Sequence, residues 1–279
     1  MQLKASLYMS REFWKFFFMA VGTISSIVTL VSFVFQLQKP SCRVVLLYTL
    51  LVIVLSVAFA IWQTWRKESI SIKISNNLSV HVCSGDLFSY AQNENYVVIP
   101  VNEFFDTIVD DKIINKGSIH GQFIQKYYPD NHTQLFKEIE DYLTAQRIEG
   151  RAEPREHSEG NKKKYPLGTC AIINHDHTNF VLLALTHFNE EDHAYVELSE
   201  FGRSISQMCH FLSDKVGTTP VYMPLMGMGL ARLNQSAQFI LKYTLDTIVG
   251  IKGLAMLGGI NIVIYPPVAK TVHLNDIKY

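Results

Sequence analysis

The chain of 279 residues carries 25 Lys+Arg against 25 Asp+Glu, so it has no net field to draw it to nucleic acid. Its four cysteines, Cys42, Cys83, Cys170 and Cys209, lie far apart with no Cys-x-x-Cys pair. That argues against a zinc knuckle and a disulfide framework and suits a reducing compartment.

Residues 1–68 read as a two-helix membrane hairpin. Between Lys15 and Lys39 lie 23 residues without charge, and between Arg43 and Arg66 lie 22. Each stretch is long enough to cross a hydrocarbon core of about 30 Å as a helix. Trp14 opens the first span, and Trp62 and Trp65 close the second, as an interfacial aromatic belt does. The short loop Gln36–Cys42 makes the helices antiparallel. Lys4, Arg11, Lys15, Arg66 and Lys67 on the terminal side outweigh Lys39 and Arg43 in the loop. That bias predicts a multi-pass membrane protein with both termini and everything after Glu68 in the cytoplasm. In the first span Gly22, Ser25, Thr29, Ser32 and Gln36 recur at heptad spacing. Such a face lets helices approach closely in lipid, so it reads as an association seam, with packing against the chain's own second helix as the competing account. A weaker stripe, Thr49, Ser56, Ala60 and Gln63, lies on the second span.

Residues 69–279 read as one α/β domain. Ile70, Ile72 and Ile74 alternate with Ser71, Lys73 and Ser75, a half-buried strand, and Leu78, Val80 and Val82 begin its return. Ser84-Gly85-Asp86-Leu87 then breaks the pattern with a carboxylate beside an apolar residue. Tyr96–Val101 is a continuous apolar run, a central strand that ends on the polar Asn102, where α/β ligand sites form. Asp106–Lys116 is a charged connector. Gly117-Ser118-Ile119-His120-Gly121 leads into a helix bearing Phe123, Ile124 and Tyr127, and a second helix covers about Thr133–Gln146.

Arg147–Lys164 has almost no apolar residue and is expected to be a solvated loop at the rim of a site. Cys170–Asn174 and Phe180–Thr186 are strands joined by the hairpin composition His175-Asp176-His177-Thr178-Asn179. The spacing of His175, His177 and His187 matches no metal-ligand set, so no metal is expected. Ser199 is placed as the cap of a helix running to about Val216. Val221–Arg232 follows, a strand that stops at Gly227 and Gly229, and the helix Gln235–Val249 starts almost at once. Glycines there let backbone N–H groups close on a ligand, and the helix start adds its positive end, which suits phosphate. Gly259–Tyr265 is a last buried strand. The alternation predicts a mixed sheet with helices on both faces.

Four segments fall in the order of a macro domain, the ADP-ribose-binding α/β module. Gly85-Asp86-Leu87 resembles its Gly-Asp-Ile motif, and Val97–Asn102 resembles the strand ending in Asn-Ala-Ala-Asn. Gly117–Gly121 and Pro224–Arg232 resemble its two phosphate loops. The resemblance implies that Asp86, with Leu87 beside it, meets the adenine amino group and that Asn102 faces the distal ribose. It also implies that Ser118, Ile119 and His120 hold one side of the diphosphate, and Gly227, Met228, Gly229, Leu230, Ala231 and Arg232 the other. The first loop lacks the triple glycine of macro-domain hydrolases and places His120 where they carry Asp. This departure points to a reader of ligand with no catalytic residue.

With its membrane hairpin, the chain is similar to the membrane-anchored effectors of bacterial Thoeris anti-phage defence. That similarity implies a signal derived from ADP-ribose, histidine-ADP-ribose in the transmembrane class, made by a TIR-domain partner, with no cofactor. It also implies a homo-oligomer that disrupts the lipid bilayer and kills the infected cell. Two other readings stay open: a membrane-tethered ADP-ribosyl hydrolase using Asn102 with Asp106 or Asp110, and a passive reader of ADP-ribosylated proteins.

Overall fold

The computed structural model describes residues 11–34, 41–64, 68–153, 155, 159–189, 193–229 and 233–279. The chain divides into two units, residues 1–67 and 68–279.

In the first unit, α1 (Arg11–Val34) and α2 (Cys42–Thr64) pack on each other. Phe13–Ser32 and Cys42–Trp62 are long and apolar enough to cross a membrane by length and composition. The buried positions are Phe13 and Ala20 on α1 and Val52, Ser56 and Ala60 on α2. Ser56 and Ala60 of the second stripe therefore sit between the helices, whereas its Thr49 is exposed. On α1 the seam residues Gly22, Ser25 and Thr29 are exposed and Ser32 is half-buried, and a Cβ added at Gly22 would meet nothing within 4 Å. Packing within the hairpin thus leaves Gly22, Ser25 and Thr29 uncovered. Its Thr29 hydroxyl bonds back to the Ser25 carbonyl at 2.9 Å, which satisfies the hydroxyl without a second helix. Gln36, Trp65 and the flanking Lys4, Lys39, Arg66 and Lys67 lie outside the described residues.

The second unit opens with β1 (Ser69–Ser75), β2 (Leu78–Ser84), a 3-10 turn (Leu87–Tyr90) and β3 (Tyr96–Asn102). Then come α3 (Ile119–Tyr127), α4 (His132–Ala145), the short pair β4 (Arg151–Ala152) and β5 (Lys163–Lys164), β6 (Cys170–His175) and β7 (Thr178–Phe188). After these come β8 (Ala194–Tyr195), α5 (Leu198–Ser213), β9 (Val221–Pro224), α6 (Ala237–Gly250), β10 (Met256–Ile264), α7 (Pro266–Ala269) and a 3-10 turn (Leu274–Asp276).

The main sheet runs β1-β2-β10-β9-β3-β7-β6, with β8 on β7. The five strands from β2 to β7 are parallel, and β1 and β6 are antiparallel edges. Central strands are apolar on both sides because both faces are covered. Val97, Ile99 and Val101 of β3 join α3 and α4 in one core. Val98 joins α5 and α6 in the other. Asp176 and His177 both have positive φ, 44° and 56°, the two-residue hairpin turn that their composition predicts.

Two helix starts differ from the expected ones. α5 begins at Leu198 behind the cap Glu197 rather than behind Ser199, because the Glu200 carboxylate reaches back to accept the Glu197 N–H at 3.4 Å. α6 begins two residues late, where Ser236 accepts from Phe239 N at 3.2 Å.

Candidate functional site

Parallel strands end together, so their following loops share one edge of the sheet. β3 is followed by α3 on one face, while the neighbouring β9 is followed by α6 on the other. The two exits diverge and leave a crevice between them, which is where open α/β sheets bind ligands.

One wall is the turn before α3. Asn115 accepts the Gly117 N–H at 2.8 Å and receives the Ser118 hydroxyl on its carbonyl at 2.7 Å. Ser118 caps the helix by accepting Gly121 N–H at 2.9 Å. These bonds leave the N–H groups of Ile119 and His120 without a partner among the described residues. Gly121 is obligatory here, since a Cβ would stand 2.3 Å from the Asn115 carbonyl oxygen. His120 is 7% exposed, and burial pushes its pKa down to about 3. The imidazole is therefore neutral at physiological pH and adds no cation to this wall.

The opposite wall is Leu225–Gly229. Leu225 N–H still bonds the Val263 carbonyl at 3.1 Å, continuing the ladder of β9. Beyond it the N–H groups of Gly227, Met228 and Gly229 have no partner among the described residues. Gly227 has φ +85°, and a Cβ there would meet the Leu233 side chain at 2.7 Å. Gly229 faces open space, with nothing within 4 Å of an added Cβ. Leu230, Ala231 and Arg232, the rest of the expected loop, lie outside the described residues. N–H groups without a partner among the described residues, on two loops that follow neighbouring parallel strands, are donors suited to an anion.

At the far end of the edge, Gly85 N–H bonds the Ile264 carbonyl at 3.0 Å, which brings the turn at Asp86 to the end of β10. Asp86 is exposed and accepts Phe88 N–H at 3.1 Å, and Leu87 behind it is buried. Tyr90 stacks on Tyr222 with centroids 4.3 Å apart and braces this turn. Tyr265, 66% exposed, follows the last residue of β10 and carries an aromatic ring at this edge. The sequence marks Tyr265 only as the end of a buried strand; β10 stops one residue earlier, at Ile264.

Asn102 ends β3 as expected, but its amide is already engaged. Its Nδ2 donates to Asp106 at 3.0 Å, and its Oδ1 accepts Phe104 N–H at 3.0 Å. Asp106 is fully buried and receives Arg155 at 2.8 Å and Asn161 N–H at 2.6 Å. Burial raises its pKa, and Arg155, Asn161 and Asn102 pull it back in part. The Arg155 guanidinium lies over the Phe104 ring, 4.4 Å from its centroid. The segment expected to be a solvated loop thus sends Arg155 and Asn161 into the end of β3, because a buried carboxylate requires partners.

Glu103, also fully buried, collects Lys164 at 3.2 Å and His187 at 2.5 Å. His187 reaches Glu200 at 3.1 Å through its other nitrogen. Burial lowers the His187 pKa, but the hydrogen bonds and charges of Glu103 and Glu200 outweigh it and hold the group above its ordinary value. Asp110 instead folds its own turn, accepting Ile113 N–H at 2.7 Å.

The family described as "Thoeris protein ThsA, Macro domain" matches residues 80–265, which takes in the turn at Asp86, both loops of the crevice and Tyr265. A Thoeris protein ThsA of Bacillus amyloliquefaciens (strain Y2) is 30% identical over 217 residues, 76% of this chain and 70% of that protein. Among solved structures, an Oceanobacillus iheyensis macrodomain mutant with ADPR is similar at TM-score 0.49 and 11% identity, covering 73% of this chain and 94% of its own. The macrodomain of Mycobacterium tuberculosis DarG is similar at TM-score 0.41 and 16% identity, covering 67% and 97%.

Proposed function

This chain belongs to the Thoeris ThsA macro-domain family, and we propose that its α/β domain reads a signal derived from ADP-ribose. The observation that carries the reading is the pair of facing loops whose N–H groups at Ile119, His120, Gly227, Met228 and Gly229 lack partners among the described residues. A diphosphate has the charge and size to take donors from both loops, and it needs no cation when helix starts supply positive potential. Asp86 accepts from an adenine amino group while Tyr265 offers its ring to the base.

The full proposal has a TIR-domain partner making the signal, histidine-ADP-ribose, on infection. Binding in the cytoplasmic domain drives assembly of membrane hairpins, the bilayer is breached and the cell dies. The exposed seam of Gly22, Ser25 and Thr29 supports the assembly step, since the chain's own second helix leaves it open. Ligand shifts that equilibrium only if it binds the assembled state more tightly than the resting one. The protein acts without catalysis. A hydrolase would work through Asn102 with Asp106 or Asp110; the first two are bound into the Arg155–Asn161 cluster, and Asp110 accepts the Ile113 N–H of its own turn.

The test is calorimetric titration of the full chain in detergent with ADP-ribose and with its histidine conjugate, followed by analysis of the ligand. Tighter binding of the conjugate with nothing consumed supports the reading. Consumption of ligand replaces it with the hydrolase, and an absence of heat with either compound overturns it.

A further inference from the structure

β1 is an edge strand whose sequence, Ser69-Ile70-Ser71-Ile72-Lys73-Ile74-Ser75, reads nearly the same in both directions about Ile72. It pairs with β2 alone, and no other backbone hydrogen bond reaches Ser69–Ser75 among the described residues. Its free edge is a row of unmatched backbone donors and acceptors, a template for a further strand. Ile70, Ile72 and Ile74 are half-buried against the core under α5 and α6, and the serines and Lys73 are exposed on the other face.

We propose that β1 is a homodimerisation edge, pairing antiparallel with β1 of a second copy about Ile72 and joining the two sheets. A twofold contact must be self-complementary, residue i meeting j and j meeting i, and an antiparallel strand with a palindromic pattern meets that condition. Centred on Ile72, the pairing sets Ile70 opposite Ile74 of the other copy and Ser71 opposite Lys73. The isoleucines then extend one apolar stripe across the junction. A shift by one residue would move every isoleucine to the polar face. Centring on Lys73 instead would set lysine against lysine, which is unfavourable for directly opposed like charges. The irregularity in the β1–β2 ladder falls between Lys73 and Ser75, outside the three central pairs.

The inference gives the proposed assembly a surface but does not rest on the ligand. The experiment uses the full chain in membranes, in a Cys42→Ser background that removes the exposed native thiol, with mild oxidation. Opposed residues of an antiparallel pair stand about 4.5–5.5 Å apart at Cα, within disulfide reach, so Ile72→Cys should convert most of the chain to covalent dimer. Ile70 and its own copy are offset by four residues, about 13 Å, so Ile70→Cys should give at least fivefold less. Ser71→Lys opposes Lys73 and should cut the Ile72→Cys dimer severalfold, whereas Ser71→Glu should raise it. Absence of dimer from Ile72→Cys, equal yields from Ile70→Cys, or indifference to charge at position 71 each overturns the pairing. The same dimer in a chain that binds no ADP-ribose compound would keep the edge and remove the signal reading.

Discussion

Asp106 and Arg155 stand 49 residues apart in the chain and meet at 2.8 Å, the carboxylate side chain fully buried and the arginine side chain 7% exposed. The pair closes the end of β3 and ties the segment after α4 to it. Removing one partner strands the other charge in low dielectric. Arg155→Ala should therefore cost about 3–5 kcal/mol, the range for breaking a buried pair. Urea denaturation of the full chain in detergent checks this. A loss below about 1 kcal/mol, typical of exposed pairs, would show that water reaches Asp106.

Gly121→Ala forces a methyl group to within 2.3 Å of the Asn115 carbonyl oxygen. The turn must open, at a cost of about 1–3 kcal/mol for overpacking. Ile119 and His120 N–H move with it. Calorimetry should show at least a tenfold loss of ADP-ribose affinity, and unchanged affinity would remove this wall from the site.

Gly229 offers the complementary experiment, because a side chain there points into open space. Gly229→Trp should leave stability within about 0.5 kcal/mol, as surface substitutions do. It should abolish binding of the signal, and with it toxicity, while membrane insertion continues. Toxicity surviving in a variant shown not to bind would sink the signalling reading.

Tyr265→Ala should weaken ADP-ribose binding by about 1–3 kcal/mol, the range for one base stacked on an aromatic ring. Its ring is exposed, so the melting temperature should hardly move. Adenosine-free ribose phosphate serves as the control ligand and should bind both chains alike.

His187 gives the domain a pH signature. Its folded pKa lies above the ordinary 6.5 because Glu103 and Glu200 outweigh burial. The protonated form is thus favoured by folding, and its contribution is complete below the unfolded pKa. It fades as pH rises through the folded value. The melting-temperature gap between the natural chain and His187→Gln should be widest near pH 6 and shrink by pH 9. A gap that grows with pH would mean that the imidazole is neutral in the folded state.

What the sequence determined by itself is what local physics writes at short range. The alternation in β1, the apolar run of β3, the charge-free spans of α1 and α2, and the turn at Asp176-His177 each follow from the spacing of neighbouring residues. Loop glycines and Ser118 were readable for the same reason, since a cap or tight turn involves residues three or four apart. Tertiary structure alone decided which polar groups at the sheet edge are free and which are engaged. The cluster of Asp106, Arg155 and Asn161 and that of Glu103, Lys164, His187 and Glu200 pair residues from separate elements, and such pairs leave no periodic trace. Burial makes them compulsory: once the end of β3 is sealed from water, each carboxylate there draws in a distant cation or donor. The same closure turned Asn102 inward, its amide held between Asp106 and the Phe104 N–H.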